Sequence, residues 1–168
     1  MIVSFNKYLE EKIKMKHPNG TYMSVKVSRA TQKLLDKWSR EHNIPNPIDP
    51  KDMHTTLVYS RKPVPESDDY PINFPIACKI KEWQIFPTGN EGKKCLVAVV
   101  ESEVLQQHFR AIHTLYGASF DYPKYIPHIT LSYDYGLNKV PTDLPDFTIV
   151  YDDKDFQPLD PAVLTKKD

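Results

Sequence analysis

The chain has 168 residues, of which 40% are hydrophobic and 26% charged, with 22 basic residues balanced by 22 acidic ones. That length and composition predict one globular domain with its own core and exclude wholesale disorder. A formal net charge of zero argues against a protein that holds long nucleic acid by neutralising its phosphates, so a phosphate-bearing partner is expected to be small or gripped locally.

Residues 3–16 read as a short helix, with Phe5, Tyr8, Leu9 and Ile13 on one stripe. His17-Pro18-Asn19-Gly20 ends it with strong turn chemistry. Thr21–Ser28 alternates as a half-buried strand, Tyr22, Ser24 and Lys26 on one side and Met23, Val25 and Val27 on the other. Ser28 is a plausible cap for a helix over 30–43, whose apolar face is Ala30, Leu34, Leu35 and Trp38. Asn43–Lys51 reads as a loop, Met53–Ser60 as a strand, and the proline-rich stretch 61–75 as an irregular connection. Ile76–Phe86 and Lys94–Glu101 are strands around a turn at 87–92. A second helix is expected over 102–116, then strands at Tyr125–Tyr135 and Phe147–Tyr151. The tail from Phe156 is expected to lie on the surface or fray. The fold class is thus α+β, in a single domain spanning 1–168.

Several chemistries find no support. Neither GxGxxG nor GxxxxGK[ST] occurs, so the common nucleotide loops are missing. Cys78 and Cys95 are the only cysteines and form no CxxC, which argues against a disulfide framework or a zinc finger. No apolar run approaches the ~20 residues of a membrane span. The acidic residues among the first 20 residues, with no long apolar stretch, do not read as a secretory signal. The expectation is a soluble protein of a reducing compartment with no membrane partner; no feature specifies an oligomer.

One internal similarity stands out. His54-Thr55-Thr56-Leu57-Val58-Tyr59 and His128-Ile129-Thr130-Leu131-Ser132-Tyr133 both read H-x-T-L-x-Y, 74 residues apart. On a strand of period two, His54 and Thr56 share one face and Leu57 and Tyr59 the other; His128 and Thr130 likewise oppose Leu131 and Tyr133. Two such strands side by side bring two imidazoles and two hydroxyls into one cleft. One neutral imidazole can take a proton from an attacking oxygen while an imidazolium protonates the leaving oxygen. The threonine hydroxyls can donate to non-bridging phosphate oxygens as charge builds there. A lone strand histidine is more often structural, and it is the repetition that points to phosphodiester chemistry. Zinc is the competing reading. Neither copy has HxH or HxxxH spacing and no clear acidic ligand joins them, so no metal or cofactor is expected. His108 and His113 read as surface or boundary residues of the second helix, and His17 and His42 as structural or solvated residues beside turns.

Over roughly residues 20–152 these motifs resemble the 2H phosphoesterase superfamily, defined by two H-x-[ST]-hydrophobic motifs. The stretch MKHPNGTYMSVKVS followed by DMHTTLVYS is similar to the phage phosphodiesterases that counter CBASS, the cyclic-oligonucleotide-based antiphage signalling system. The resemblance implies a bilobal, pseudo-twofold fold with two antiparallel-rich sheets lining a central cleft and helices outside. It implies cleavage of cyclic di- and trinucleotide signals such as 3′,3′-cGAMP, in the cytoplasm of the infected bacterial host. The ribose 2′-OH would attack, with His54 and His128 as base and acid in either order. Tyr22 matches the family tyrosine that stacks on a base. Lys26, on the same strand face, is a candidate phosphate contact, and Trp83 a candidate base stacker or equally a core residue. The C-terminal residues 156–168 are a candidate lid, where the acidic and aromatic residues of the family find no clear match. The same catalytic set would also serve an RNA-end 2′,3′-cyclic phosphodiesterase, a 2′–5′ oligoadenylate phosphodiesterase or, without turnover, a nucleotide sponge.

Overall fold

The computed structural model of the chain describes Lys7, residues 16–88 and residues 92–160. Apart from Lys7 and Lys16, the helix expected over 3–16 lies outside the described residues, as does the tail from 161. The elements in chain order are β1 (Thr21–Val27), α1 (Arg29–Glu41), β2 (His54–Ser60), β3 (Ile76–Pro87), β4 (Lys94–Glu101), α2 (Glu103–Tyr116), β5 (His128–Ser132) and β6 (Ile149–Pro158). Both helices start where a serine satisfies an orphan amide: Ser28 accepts from Thr31 N and Ser102 from Leu105 N. Gly117 ends α2 in the left-handed conformation, at φ 68°.

The strands form one six-stranded sheet in the order β2-β1-β6-β3-β4-β5, with every neighbouring pair antiparallel. The unit β1-α1-β2 makes one end and β4-α2-β5 the other, which is the expected two-lobed α+β plan. The lobes are halves of one sheet rather than two separate sheets. They join at β3, which pairs with β6 through Ile76–Cys78 and with β4 from Lys79 to Pro87. Register shifts in β1–β2, β1–β6, β3–β4 and β4–β5 add twist and bend. The sheet curls until its two edge strands meet: Thr55 Oγ1 donates to the His128 carbonyl at 2.9 Å, and Tyr125 OH to the Thr56 carbonyl at 2.7 Å.

Both helices pack on one face of this sheet. Leu35 and Trp38 of α1 and Leu105 and Ile112 of α2 share a core with Met23, Val25, Leu57, Ile129, Leu131 and Tyr151. Burying such side chains contributes about 1.5–3 kcal/mol each. The other face is left for the histidines and threonines.

Two strand boundaries differ from the sequence expectation. β6 does not end at Tyr151; it runs to Pro158, pairing along β1 from Val27↔Tyr151 to Thr21↔Pro158. The run Asp152-Asp153-Lys154-Asp155 has poor strand propensity, but the long pairing with β1 overrides it. Phe156 therefore sits in a strand with its ring 5.4 Å from His17, and the start of the proposed lid is sheet. β5 is shorter than Tyr125–Tyr135, because Pro127 precedes it and the pairing with β4 stops at Ser132.

Gly20, in the turn before β1, has φ 121°, and a Cβ there would run into the Ser60 carbonyl oxygen. Gly20→Ala is expected to lower the unfolding free energy by roughly 2–4 kcal/mol, measured by denaturant titration. Burial also holds His17, His108 and His113 below the ordinary histidine value of 6.5. The unfolded chain then binds more protons than the folded one as pH drops below 6.5, so stability is full above that value and falls beneath it. Tm should decline from pH 7.5 to 5. His113→Leu should flatten part of the decline, since His113 Nε2 is buried without a partner among the described residues.

Candidate active site

His54 opens β2 and His128 opens β5. Each ring is held the same way by its own chain. His54 Nδ1 lies 2.6 Å from the Asp52 carbonyl, and His128 Nδ1 lies 2.7 Å from the Ile126 carbonyl. A carbonyl oxygen only accepts, so Nδ1 carries a hydrogen in both rings and donates it. Nε2 is left as the nitrogen that gains and loses a proton: a base when the ring is neutral, an acid when it is charged. Both imidazoles are half-buried and held in one tautomer.

Both strands carry a bulge at the motif leucine. Met23 pairs with Val58 and Ser24 with Thr56, which leaves Leu57 as the extra residue; Leu96 pairs with Ser132 and Val97 with Thr130, which leaves Leu131. The bulge turns two successive residues to the core, Leu57 with Val58 and Leu131 with Ser132, all at most 1% exposed. It also reverses the alternation beyond it. Tyr59 and Tyr133, expected behind the strands, come round to the face of the histidines. Tyr59 contacts Tyr22 edge-on at 6.4 Å, and Tyr133 packs with Phe86 and Ile126 on Cys95, Val97 and Val99.

Two adjoining cavities flank this pair, with Thr88 on the wall of both. The first, about 730 Å³, takes in His54, Tyr22, Ser24, Lys26, Asp155 and Gln157. The second, about 590 Å³, takes in His128, Thr56, Tyr59 and the aromatic wall of Phe86, Phe120, Tyr122 and Tyr125. Each is of a size that holds a small ligand. Lys26 is exposed and lies opposite His54 in the β1–β2 register. Tyr22 OH stands 3.1 Å from Thr56 Oγ1, and its ring meets that of His54 edge-on at 6.3 Å. Tyr125 donates to the Thr56 carbonyl and stacks on Phe109 at 4.2 Å, and burial pushes its phenol well above the ordinary value. It stays protonated and fixes the second cavity's floor.

His54, Tyr22, Lys26, Thr56 and His128 are thus brought together across the two cavities. Thr130 shares the strand face of His128 but is nearly covered, 4% exposed, and lines neither cavity. Of the two readings of Trp83, the structure takes the core one. It is a core residue, 5.1 Å from Trp38, and its indole nitrogen donates to the Asp143 carbonyl at 2.8 Å. Its place on β3 faces the helices, so it cannot stack a ligand. The aromatic wall of 120–125 has no signal in the sequence pattern, because a loop's side chains have no periodicity that reveals their direction. Among the described residues no group of three or more His, Cys, Asp or Glu is placed to hold a metal ion, and no helix is long and apolar enough to cross a membrane.

Residues 19–166 match the family model described as Anti-CBASS protein Acb1. The Anti-CBASS protein Acb1 of Yersinia phage phiR1-RT is 34% identical over 146 residues, covering 83% of this chain and 88% of that protein. That of Escherichia phage RB16 is 31% identical over 152 residues, covering 86% and 84%. Among solved structures, Escherichia coli LigT in apo form superposes with a TM-score of 0.57 at 12% identity, over 83% of this chain and 94% of that one. LigT complexed with 3′-AMP does so at 0.57 and 14%, over 84% and 95%. The fold is that of the LigT-like 2H phosphoesterases.

The tautomer is open to direct measurement. At a pH where both rings are neutral, long-range ¹H–¹⁵N correlation spectra are expected to show His54 and His128 protonated at Nδ1; an Nε2–H pattern in either ring would contradict the shared geometry.

Proposed function

The chain belongs to the Anti-CBASS protein Acb1 family, and from that premise we propose that it is a phosphodiesterase, needing no metal, that opens the 3′–5′ linkages of cyclic di- and trinucleotide signals. The observation that carries the reading is the matched pair of imidazoles, each locked through Nδ1 and each presenting Nε2. In the first step the neutral Nε2 of one histidine takes the proton of a ribose 2′-OH. The 2′-oxygen attacks the adjacent phosphorus, and the bond from phosphorus to the 5′-oxygen breaks. The imidazolium of the other histidine protonates that leaving oxygen, giving a linear product with a 2′,3′-cyclic phosphate. In the second step the roles reverse: water, deprotonated by the second ring, opens the cyclic phosphate to a 3′-phosphate, and the first ring returns the proton to the 2′-oxygen. The like geometry of the two rings suits this exchange. Thr56, on the wall of the second cavity, is the donor to the non-bridging oxygens.

The two cavities suit the two ends of a cyclic dinucleotide. Aromatic stacking contributes about 1–3 kcal/mol per base, so Tyr22 on one side and the aromatic wall on the other give grip without a basic surface. Lys26 serves as the local phosphate contact. The place of action is the cytoplasm of the infected bacterium, where such signals are made.

The test is incubation of the purified chain with 3′,3′-cGAMP in EDTA, read by chromatography. Linear product is expected, with His54→Ala and His128→Ala each slowing the reaction by ~10²–10⁴-fold or more. Full activity in both single variants would overturn the two-histidine mechanism. Preference for linear 2′–5′ RNA would shift the reading to an RNA-end phosphodiesterase, and unaltered ligand after long incubation would make the chain a nucleotide sponge.

A further inference from the structure

A chain of buried hydroxyls runs behind the histidines, on the core side of the sheet. Thr55 sits between His54 and Thr56 and points away from the cavities, fully buried. Its Oγ1 is 2.9 Å from the His128 carbonyl and 2.6 Å from the phenol of Tyr151, which comes from β6 and is also fully buried. The directions of these bonds are fixed by counting protons. The carbonyl only accepts, so the single hydroxyl proton of Thr55 goes to it. The proton between Thr55 and Tyr151 is then the phenol's, and Tyr151 donates. Burial pushes the Tyr151 phenol well above its ordinary value, so it keeps its proton at neutral pH and donates it.

We propose that Thr55 and Tyr151 are positioning residues for the two-histidine reaction: a one-way hydrogen-bond chain from β6 through β2 ends on the main chain of His128 and sets how far the two imidazoles stand apart. β2 and β5 are opposite edges of the sheet, so no ladder of backbone bonds joins them. The Thr55 bond spans from the residue after one histidine to the carbonyl of the other. A positional shift of about 1 Å in a catalytic group is enough to slow a reaction by roughly a hundredfold. The Tyr125 bond to the Thr56 carbonyl is a second tie, one residue along, so loss of Thr55 loosens the seam without opening it. Thr55 lines neither cavity, so its effect on the reaction acts through the spacing of the two histidines.

The inference rests on the proposed phosphodiesterase reading, and the experiment separates the two. Thr55→Val keeps the side-chain shape and removes both bonds; Thr55→Ser keeps the hydroxyl. With 3′,3′-cGAMP, Thr55→Val is expected to lower kcat about 10–100-fold with KM within about threefold, and Thr55→Ser to recover most of kcat. Thr55→Val alone strands the Tyr151 hydroxyl and should lower Tm. The double variant Thr55→Val/Tyr151→Phe removes both partners, so Tm should recover while kcat stays low. A merely structural role predicts that kcat follows Tm back up, and that result, or wild-type kcat in Thr55→Val, overturns the proposal. If the wild-type chain leaves every nucleotide intact, the phosphodiesterase reading fails. The positioning claim is then still read from the His128 ring resonances, which Thr55→Val must move and the double variant must leave displaced; unmoved resonances overturn it.

Discussion

The site depends on two edge strands of a single sheet closing on one another. Edge strands expose unpaired amides and carbonyls and invite association. Here β2 and β5 lie at opposite ends of the order β2-β1-β6-β3-β4-β5, and the curl of the sheet turns each toward the other. What joins them is not a ladder but side chains reaching backbone, Thr55 to the His128 carbonyl and Tyr125 to the Thr56 carbonyl. A seam of that kind leaves strand ends where a histidine can be held by its own chain yet still open onto a cavity. A fully paired barrel would have consumed the carbonyls of Asp52 and Ile126 that now fix the two rings.

The bulges serve the same end. Each costs a ladder position at the motif leucine, but each sends two successive residues to the core and brings a tyrosine forward. The core gains anchorage at the point where the strand must not slide, because a slip of one residue would turn the histidine inward. Apolar residues buried immediately after the motif threonine are therefore a mechanical requirement of the motif. This explains why the H-x-T-L order occurs twice while the residue after leucine, Val58 in one copy and Ser132 in the other, differs. Both are fully buried, one by apolar packing and one by a hydrogen bond from Ser132 Oγ to the Pro45 carbonyl.

Much of this was legible in the sequence. The helix cap at Ser28, the polar and apolar faces of Tyr22–Val27, and the paired motif follow from local chemistry and periodicity. The proposed participants His54, Thr56, Tyr22, Lys26 and His128 fall around adjoining cavities for that reason. What escaped was non-local. Strict alternation puts Tyr59 and Tyr133 on the opposite face from the one they occupy, because a bulge is set by the partner strand's register, which a single strand's pattern does not contain. Trp83 reads equally as stacker or core until Trp38 and the Asp143 carbonyl are known to meet it. The extension of β6 to Pro158 is a tertiary override of a charged, propensity-poor run.

The pseudo-twofold plan is broken where it matters to the seam. The variable position of the motif is Thr55 in the first copy and Ile129 in the second, and both face the core. True symmetry would place a second hydroxyl at 129, reaching back toward the chain at His54. Two hydroxyls and their partners buried in one seam would need a full set of acceptors in a region filled by Leu57, Leu131 and Ile149, and any shortfall would leave a buried polar group unsatisfied. One hydroxyl with a complete set of partners, against one aliphatic side chain packed tightly, fixes the spacing of the strands without that risk. The duplicated surface of the sheet carries equivalent chemistry in both halves. The core beneath it has no such obligation, and there the two halves have diverged into a hydrogen-bonding half and a packing half.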